Sequence, residues 1–553
     1  MQHSLVSAGL LAFSLLLVAS LAAAYDGPLY DFTAYTECQA WPEKPLYGGG
    51  ILKHHPQVVS QNNGKFAIGV YTPAFILYDL TQGTIYCFSS WVRIEGIESA
   101  LITASLKTDN ETYNCIGTVL ARSGCWSFLK GGFVLDSPSN VSILVFQNAD
   151  NEVIDISIES AALQPFTEEQ WRTNQQYIIN TERKRAMTIH VSDEHGDTLE
   201  GAEISLEQIS KDFPFGSAIA STILGNLPYQ KWFVDRFNAA VFENELKWYA
   251  TEPEHGKLNY TIADQMLAFV RAHQIIARGH NIFWEDPKYA PDWVQNLTSS
   301  ELRSAVNSRI QSLVTKYREQ FIHWDVSNEN LHFDFYEQRL GPNATLEFFM
   351  TAHQADPLAT LFMNEFNVVE TCSDEKSTVD GYIARLRELK EGGVYMDGIG
   401  LEGHFTVPNP PLMRAILDKL AALKLPIWLT EVDTSSQSKE MQAIYLEQVL
   451  REGFSHPSVN GIMLWTALHP KGCYRMCLTD DNFRNLPAGD VVDQLLKEWQ
   501  TGEVVGQTDE HGSFSFYGFL GEYRIMVKYG NRASNSTFSL SKSDETGHFN
   551  IQL

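Results

Sequence analysis

The sequence predicts an α/β protein: a (β/α)8 (TIM) barrel with an N-terminal β-sandwich module and a small split β-sandwich formed by segments flanking the barrel. Three observations lead there. From Pro214 onward, eight short β-branched or aromatic runs alternate with amphipathic helical stretches over roughly 290 residues, the rhythm of a (β/α)8 barrel. Before residue 165 the pattern is instead one of short alternating runs separated by Gly, Asn, Asp and Ser, as in an all-β sandwich. Finally, an Asp-Glu-His-Gly turn occurs on each side of the barrel-like region, at 193–196 and 509–512.

The elements follow in order. Residues 5–24 are almost wholly apolar or small and end in Ala22-Ala23-Ala24, so 1–24 reads as a signal peptide cleaved before Tyr25. His3 is the only potential cation ahead of that run, which leaves an uncleaved anchor as the alternative. Residues 25–165 form the sandwich, with runs such as 65–70 and 142–146. A helical linker spans 166–186, Thr167 capping it and Glu168 and Glu169 in its first turn. The half-sandwiches are 187–208 and 501–553, and both read as hairpins with Gly-containing turns. They resemble two halves of a prealbumin-like or carboxypeptidase-regulatory-like sandwich, because a lone hairpin at 187–206 is marginal in water. The barrel occupies 209–500, with strands expected at Phe215–Ile219, Ala239–Phe242, 275–279, 321–326, 361–364, 398–401, 427–430 and 462–465. Helices are expected between them, at 298–318 and 378–390 among others.

Composition bounds the function. Apolar residues make up 44% of the 553 and aromatics 12%, ample for large cores. A formal charge of −26 argues against nucleic acid and anionic membrane surfaces, which need clustered Lys and Arg. Six Asn-x-Ser/Thr sequons, at Asn110, Asn140, Asn259, Asn296, Asn343 and Asn535, fit a secretory route beside the leader. The seven cysteines leave at least one thiol or an intermolecular bond, and their spacing makes no zinc site. No metal or cofactor is called for, and a monomer is expected.

The chemistry lies in two glutamates that close apolar runs. Glu329 ends Phe321-Ile322-His323-Trp324-Asp325-Val326-Ser327-Asn328-Glu329, and Glu431 ends Pro426-Ile427-Trp428-Leu429-Thr430-Glu431. A carboxylate at the exit of a buried strand is costly unless hydrogen-bonded or used. Glu329 follows the fourth strand and Glu431 the seventh, at the C-terminal face where barrel chemistry collects, so together they suggest the carboxyl pair of glycoside hydrolysis. Each taken alone is equally well a paired rim residue.

Further motifs stand at successive strand ends. They are Phe237-Asn238 with Glu243-Asn244-Glu245-Leu246-Lys247-Trp248; Arg278-Gly279-His280-Asn281-Ile282-Phe283-Trp284; Gly398-Ile399-Gly400-Leu401-Glu402-Gly403-His404; and Thr430-Glu431-Val432-Asp433. In this order they resemble glycoside hydrolase family 10, the endo-1,4-β-xylanases, and most the land-plant branch, over nearly all of 213–500. The resemblance implies a retaining enzyme in which Glu431 is the nucleophile and Glu329 the acid/base. Asn328 would bond the sugar 2-hydroxyl, and His404 with Asp433 would orient and polarise the nucleophile. Glu243, Asn244, Lys247, His280, Trp284 and Trp465 would bind sugar. The implied partner is xylan or arabinoxylan and the implied location the plant cell wall. A xylan transglycosylase would use the same residues, and a non-catalytic xylan-binding protein on the same barrel is the reading from another class.

Four positions depart from the family pattern. Glu402 stands where Gln is usual, placing a third carboxyl beside Glu431; like-charge repulsion should raise one pKa of the trio, and Glu402→Gln is expected to shift the acidic limb of the pH profile. Glu285 replaces a more frequent His, and Asn364-Glu365-Phe366-Asn367 lacks a tyrosine hydroxyl. The second Trp expected after the eighth strand is replaced by Lys471-Gly472-Cys473-Tyr474-Arg475-Met476-Cys477, where Cys473 and Cys477 suit a local disulfide. The N-terminal module resembles carbohydrate-binding module family 22 through Phe88-Ser89-Ser90-Trp91-Val92 and Gly124-Cys125-Trp126-Ser127-Phe128-Leu129-Lys130-Gly131-Gly132-Phe133. Trp91 and Trp126 are then either sugar-stacking platforms or sandwich core.

Overall fold

The computed structural model describes residues 27–59, 72–150, 154–394, 396–543 and 545–553. The expected leader at 1–24 and the run at 65–70 lie outside them. The chain forms two compact units: 31–168 with 214–495, and the remainder, comprising the segment up to Tyr30, Glu169–Phe213 and Leu496–Leu553.

The larger unit holds the barrel. Its strands are β1 (Phe215–Ile219), β2 (Ala239–Phe242), β3 (Ile276–Gly279), β4 (His323–Asn328), β5 (Thr360–Glu365), β6 (Gly398–Phe405), β7 (Ile427–Thr434) and β8 (Val459–Leu464). Each pairs in parallel with the next, and β1 pairs with β8 through Phe215↔Ile462, which closes the barrel. Both faces of such strands are covered, which is why they read as continuous apolar runs rather than alternations. Inside, Ala218, Val241, Phe362, Trp428 and Met463 pack in one buried cluster. Glycine is required at Gly279, where a Cβ would stand 2.3 Å from the Trp324 ring. The helix Ser299–Lys316 is started by a capping box between Thr298 and Glu301, and Val379–Glu391 by the Thr378 side chain.

Two expectations about strand ends change. β6 and β7 run four residues further than the apolar runs alone indicate, so Glu402 and Glu431 lie within strands rather than beyond them. The register is irregular between Leu401 and Glu402 and between Leu429 and Val432, which lets polar residues continue the ladder into the cleft. β8 ends at Leu464, leaving Trp465 just past it.

The N-terminal sandwich belongs to the same unit. Its five-stranded sheet runs in the order Gln57–Val59, Thr72–Leu80, Ser139–Asn148, Ser99–Lys107, Thr112–Arg122. The facing sheet runs Ser127–Val134, Ile85–Glu95, Asp155–Phe166. Phe88, Ile102, Leu129 and Phe146 lie in the shared core. The three-stranded sheet docks on the barrel helix Pro410–Ala421, close enough that a Cβ on Gly132 would meet the Pro411 ring at 2.6 Å. Buried polar groups fix that contact. Lys130 Nζ lies 2.6 Å from Asp418, and Lys419 Nζ 2.5 Å from Asp380, which also accepts from the Leu120 amide. A Cys115–Cys372 disulfide joins the sandwich to the loop after β5. Trp91 is fully buried against Tyr35 and Phe128, so it is core and not a sugar platform. Trp126 is half-buried, and its backbone pairs with Gln39.

In the smaller unit the helix Glu168–Arg183 leads into strand Lys184–Ser192. That strand pairs with Ser513–Phe519 and Gly547–Gln552, while Glu203–Lys211 pairs with Val504–Gln507 and Gly521–Tyr529. Each sheet therefore mixes strands from both sides of the barrel. The expected hairpins are corrected here: Lys184–Ser192 and Glu203–Lys211 lie in opposite sheets, as do Ser513–Phe519 and Gly521–Tyr529. The glycine turns carry the chain from one sheet to the other, so that Ile189 and Ile204, on opposite sheets, are both buried in the one core.

Candidate active site

The C-terminal ends of β4, β5, β6 and β7 gather the polar residues. Asn328 is the last residue of β4, and Glu329 follows in the left-handed region, φ 65°, its N–H donating to the Asn364 carbonyl at 2.8 Å. A non-glycine residue held there is locally strained, and surrounding bonds must hold it. Across β6 and β7, Glu402 pairs in register with Glu431, and His404 with Asp433. The four side chains thus stand in two adjacent rows.

Asn364, at the end of β5, ties the rows together. Its Nδ2 donates to Asn328 Oδ1 at 2.9 Å, Glu431 Oε1 at 3.0 Å and Glu402 Oε1 at 3.2 Å, while Asn328 Nδ2 lies 3.3 Å from Glu329 Oε1. Thr430 Oγ1 donates to Asn364 Oδ1 at 2.5 Å and fixes the amide's orientation. His404 Nε2 lies 3.4 Å from Glu402 and 3.5 Å from Glu431, with Nδ1 3.0 Å from Asp433. His280 Nε2 reaches the other Glu431 oxygen at 3.7 Å, and its Nδ1 is 2.9 Å from Asp325, itself held by Arg278 at 2.7 Å.

These neighbours pull the carboxyls apart. Burial would raise the Glu431 pKa, but His280, His404 and Lys247 outweigh it and hold the carboxyl below its ordinary range. Burial pushes Glu329 up, and the charges of Glu365 and Glu431 add to the rise. Glu402 is held well above the ordinary carboxyl value, by burial and then by Glu431, so it keeps its proton while Glu431 is ionised. Burial disfavours an imidazolium at His404, yet Asp433, Glu402 and Glu431 together hold its pKa well above the usual value. The ligand atoms of Glu402, His404 and Glu431 come within 4.8 Å of one another, the only such set among the described residues that could grip a metal ion.

The remaining sequence-predicted residues line the adjoining wall. Glu243 is ion-paired with His469 and accepts from Asn244 Nδ2 at 3.1 Å, and Lys247 Nζ donates to Asn244 Oδ1 at 3.2 Å. Lys247 sits 4.4 Å over the Trp284 ring and 5.7 Å over that of Trp465, which meets the His280 ring edge-on at 5.3 Å. All twelve residues singled out from the sequence therefore stand at one barrel mouth. Glu285 does not join them. It is fully buried, bonded to Ser327 and the Tyr336 amide, and pushed up to about 8 by burial.

Several partners were not singled out. Asn364 lay in a quoted motif without a role, and Asp325 in the Glu329 run. Glu370 accepts from the His404 amide at 3.1 Å. His332 bridges Glu365 at 2.6 Å and Asp374 at 3.0 Å while stacking on Phe366 at 3.7 Å. Asn364 stands at a strand end and Asp325 within β4, while His332, Glu370 and Asp374 lie in loops whose sequence carries no such signal.

The model of glycosyl hydrolase family 10 matches residues 205–483. Endo-1,4-beta-xylanase 5 of Arabidopsis thaliana is 35% identical over 526 residues, covering 93% of this chain and 92% of that protein. Endo-1,4-beta-xylanase 4 of the same plant is 34% identical over 566 residues, covering 98% and 97%. Among solved structures, xylanase 10B from Thermotoga petrophila RKU-1 in complex with xylobiose is 25% identical with a TM-score of 0.47, over 52% of this chain and 94% of that one.

Proposed function

The chain belongs to glycosyl hydrolase family 10, and from that premise we propose that it is a secreted, retaining endo-1,4-β-xylanase cleaving internal bonds of cell-wall xylan or arabinoxylan by double displacement. The observation that carries the reading is the opposite pull on two neighbouring carboxyls: Glu431 is held ionised and Glu329 protonated. Glu431 attacks the anomeric carbon as Glu329 gives its proton to the departing glycosidic oxygen. The glycosyl-enzyme ester is then opened by water, whose proton returns to Glu329. Asn328 donates toward the sugar 2-hydroxyl, a bond that strengthens as positive charge develops on the ring. His404, backed by Asp433, and His280, backed by Asp325, keep the nucleophile charged and aimed. Glu243, Asn244 and Lys247 bind hydroxyls of the adjoining sugar, Trp284 lines the same subsites, and Trp465 packs on a sugar face.

Incubation with linear xylan and arabinoxylan, with products resolved by size and the first-formed anomer read by NMR, tests the reading. Shorter products alone, with the β-anomer appearing first, are expected. Longer products would mean transglycosylation, and an α-anomer would overturn retention. The secretory route is tested by sequencing the N-terminus of protein recovered outside the cell, expected at Tyr25.

A further inference from the structure

The segment after β8 closes on itself through the Cys473–Cys477 disulfide. It is pinned on three sides. His469 and Gly472 exchange backbone hydrogen bonds at 3.1 and 3.0 Å, Met476 is buried with its sulfur 3.3 Å from Thr434 Oγ1, and Gln442 Nε2 donates to the Arg475 carbonyl at 3.4 Å. Two side chains are left outside. Tyr474 is 59% exposed, its ring 5.6 Å from that of His404 in edge-on geometry. The exposed Arg475 guanidinium lies 5.4 Å from the Tyr474 ring, and its Nη1 donates to the His404 carbonyl at 3.2 Å. His404 is in turn 3.5 Å from Glu431, so this aromatic–cation pair stands one residue away from the nucleophile.

Arg475 makes no ion pair among the described residues, although the chain carries a net charge of −26 and this mouth holds Glu402, Glu431 and Asp433. One bond to a carbonyl employs one of five guanidinium donors. Beside the loop opens a cavity of about 410 Å³ whose lining includes Arg475, Lys439, Gln442 and Leu468. Asp480 and Asp481 also line it, but the Asp480 carboxylate already accepts from the Asn482 and Arg484 amides at 2.8 and 3.0 Å. A rigid loop presenting a planar cation that no carboxylate touches directly, its charge reaching Asp433 only from a distance, beside an exposed ring suits a ligand with both a carboxylate and a sugar face.

We propose that Tyr474 and Arg475 form a specificity subsite for an acidic branch on the polysaccharide, a hexuronate substituent whose carboxylate the Arg475 fork receives and whose ring packs on Tyr474. This rests on the xylanase reading above. The disulfide holds the pair in place before substrate arrives, so little ordering is left for binding to accomplish.

The test compares kcat/KM of the full-length protein on size-matched xylo-oligosaccharides that are undecorated, hexuronate-branched, or branched with the uronate as its methyl ester. The free acid is expected to be favoured over the ester by about three- to tenfold, the range between an exposed ion pair and a bidentate one. Arg475→Gln brings that ratio to near one, and Arg475→Lys, which keeps the charge but loses the fork, leaves part of it. An acid-to-ester ratio of one in the unaltered protein, or one unchanged by Arg475→Gln, overturns the subsite. If none of the three oligosaccharides is cleaved, the xylanase reading fails separately. Calorimetric binding of acid and ester to Glu431→Gln, alone and combined with Arg475→Gln, then decides the subsite by the same ratio.

Discussion

His404 Nε2 lies 3.5 Å from Glu431 Oε2, and this contact helps a buried carboxylate stay charged. Asp433, 3.0 Å from Nδ1, holds the imidazole's pKa up. In Asp433→Asn that support is lost, His404 is charged over a narrower range, and the Glu431 pKa rises toward its ordinary value. The acidic limb of kcat/KM therefore moves to higher pH, with a loss of about tenfold or more at the old optimum. A pH–rate profile checks it, and an acidic limb that stays in place would sink the argument.

Glu402 changes meaning once its neighbours are visible. From sequence, a third carboxyl was expected to shift the acidic limb. In the structure Glu402 carries the upward shift itself and keeps its proton while Glu431 ionises. A protonated carboxyl, like a glutamine amide, is uncharged and offers one carbonyl acceptor beside a donor. Glu402→Gln is accordingly expected to leave the acidic limb where it is and kcat within about threefold, because no charge is removed in that range. Glu402→Ala leaves Asn364 and His404 short of a partner and should cost more, on the order of tenfold.

Glu329→Ala and Glu431→Ala should fail differently. Without Glu329, turnover of xylan falls by about 10²–10⁴, but an aryl glycoside whose leaving group needs no proton loses far less in the glycosylation step. Without Glu431 both substrates are lost, since no covalent intermediate forms. Steady-state and burst kinetics on the two substrates separate these outcomes.

What could be read in advance was whatever one stretch of chain carries. The Glu431 run is four apolar residues and a threonine before the acid, so strand and site residue are both visible. The ends of β6 and β7 were not, because Glu402, His404 and Asp433 are polar and continue the strands only through their partners. Asn364 was quoted without a role because its three acceptors lie 36, 38 and 67 residues away, on three other strands. The Cys115–Cys372 pairing spans 257 residues and depends on how the sandwich docks, which no local pattern encodes. The supposed hairpins failed for a related reason. A glycine turn specifies that the chain reverses but not which sheet receives it, and that is decided by the core the two sheets share, which buries Ile189 from one and Ile204 from the other.

The docking disulfide gives a stability prediction. Replacing Cys115 and Cys372 together by Ser should lower unfolding free energy by about 2–4 kcal/mol, since the bond closes a long loop in the unfolded chain. Urea unfolding of both proteins reads this directly. Cys87 is the one cysteine outside a disulfide, and burial raises its thiol pKa. A thiol reagent should find nothing in the native, unreduced protein and one thiol per chain after unfolding. More than one would contradict the three disulfides, Cys38–Cys125, Cys115–Cys372 and Cys473–Cys477.

The Lys130–Asp418 pair, at 2.6 Å and wholly buried, links sandwich and barrel electrostatically. Burial alone would raise the Asp418 pKa, but Lys130 and His456 outweigh it and hold it below the ordinary carboxylate value. A carboxyl whose folded pKa is depressed stabilises the fold above its unfolded pKa, and that contribution is lost as pH falls through the folded value. Lys130→Met leaves Asp418 without its largest compensating charge and should destabilise the protein by about 3–5 kcal/mol near neutral pH. The penalty should shrink on acidification, because Asp418 in the variant takes up a proton at higher pH than in the parent and so sheds a charge that His456 alone compensates less well. Urea unfolding of both proteins across a pH series down to about 4 measures the gap, and one that stays constant or widens toward acid would show that the lysine acts by packing rather than by charge.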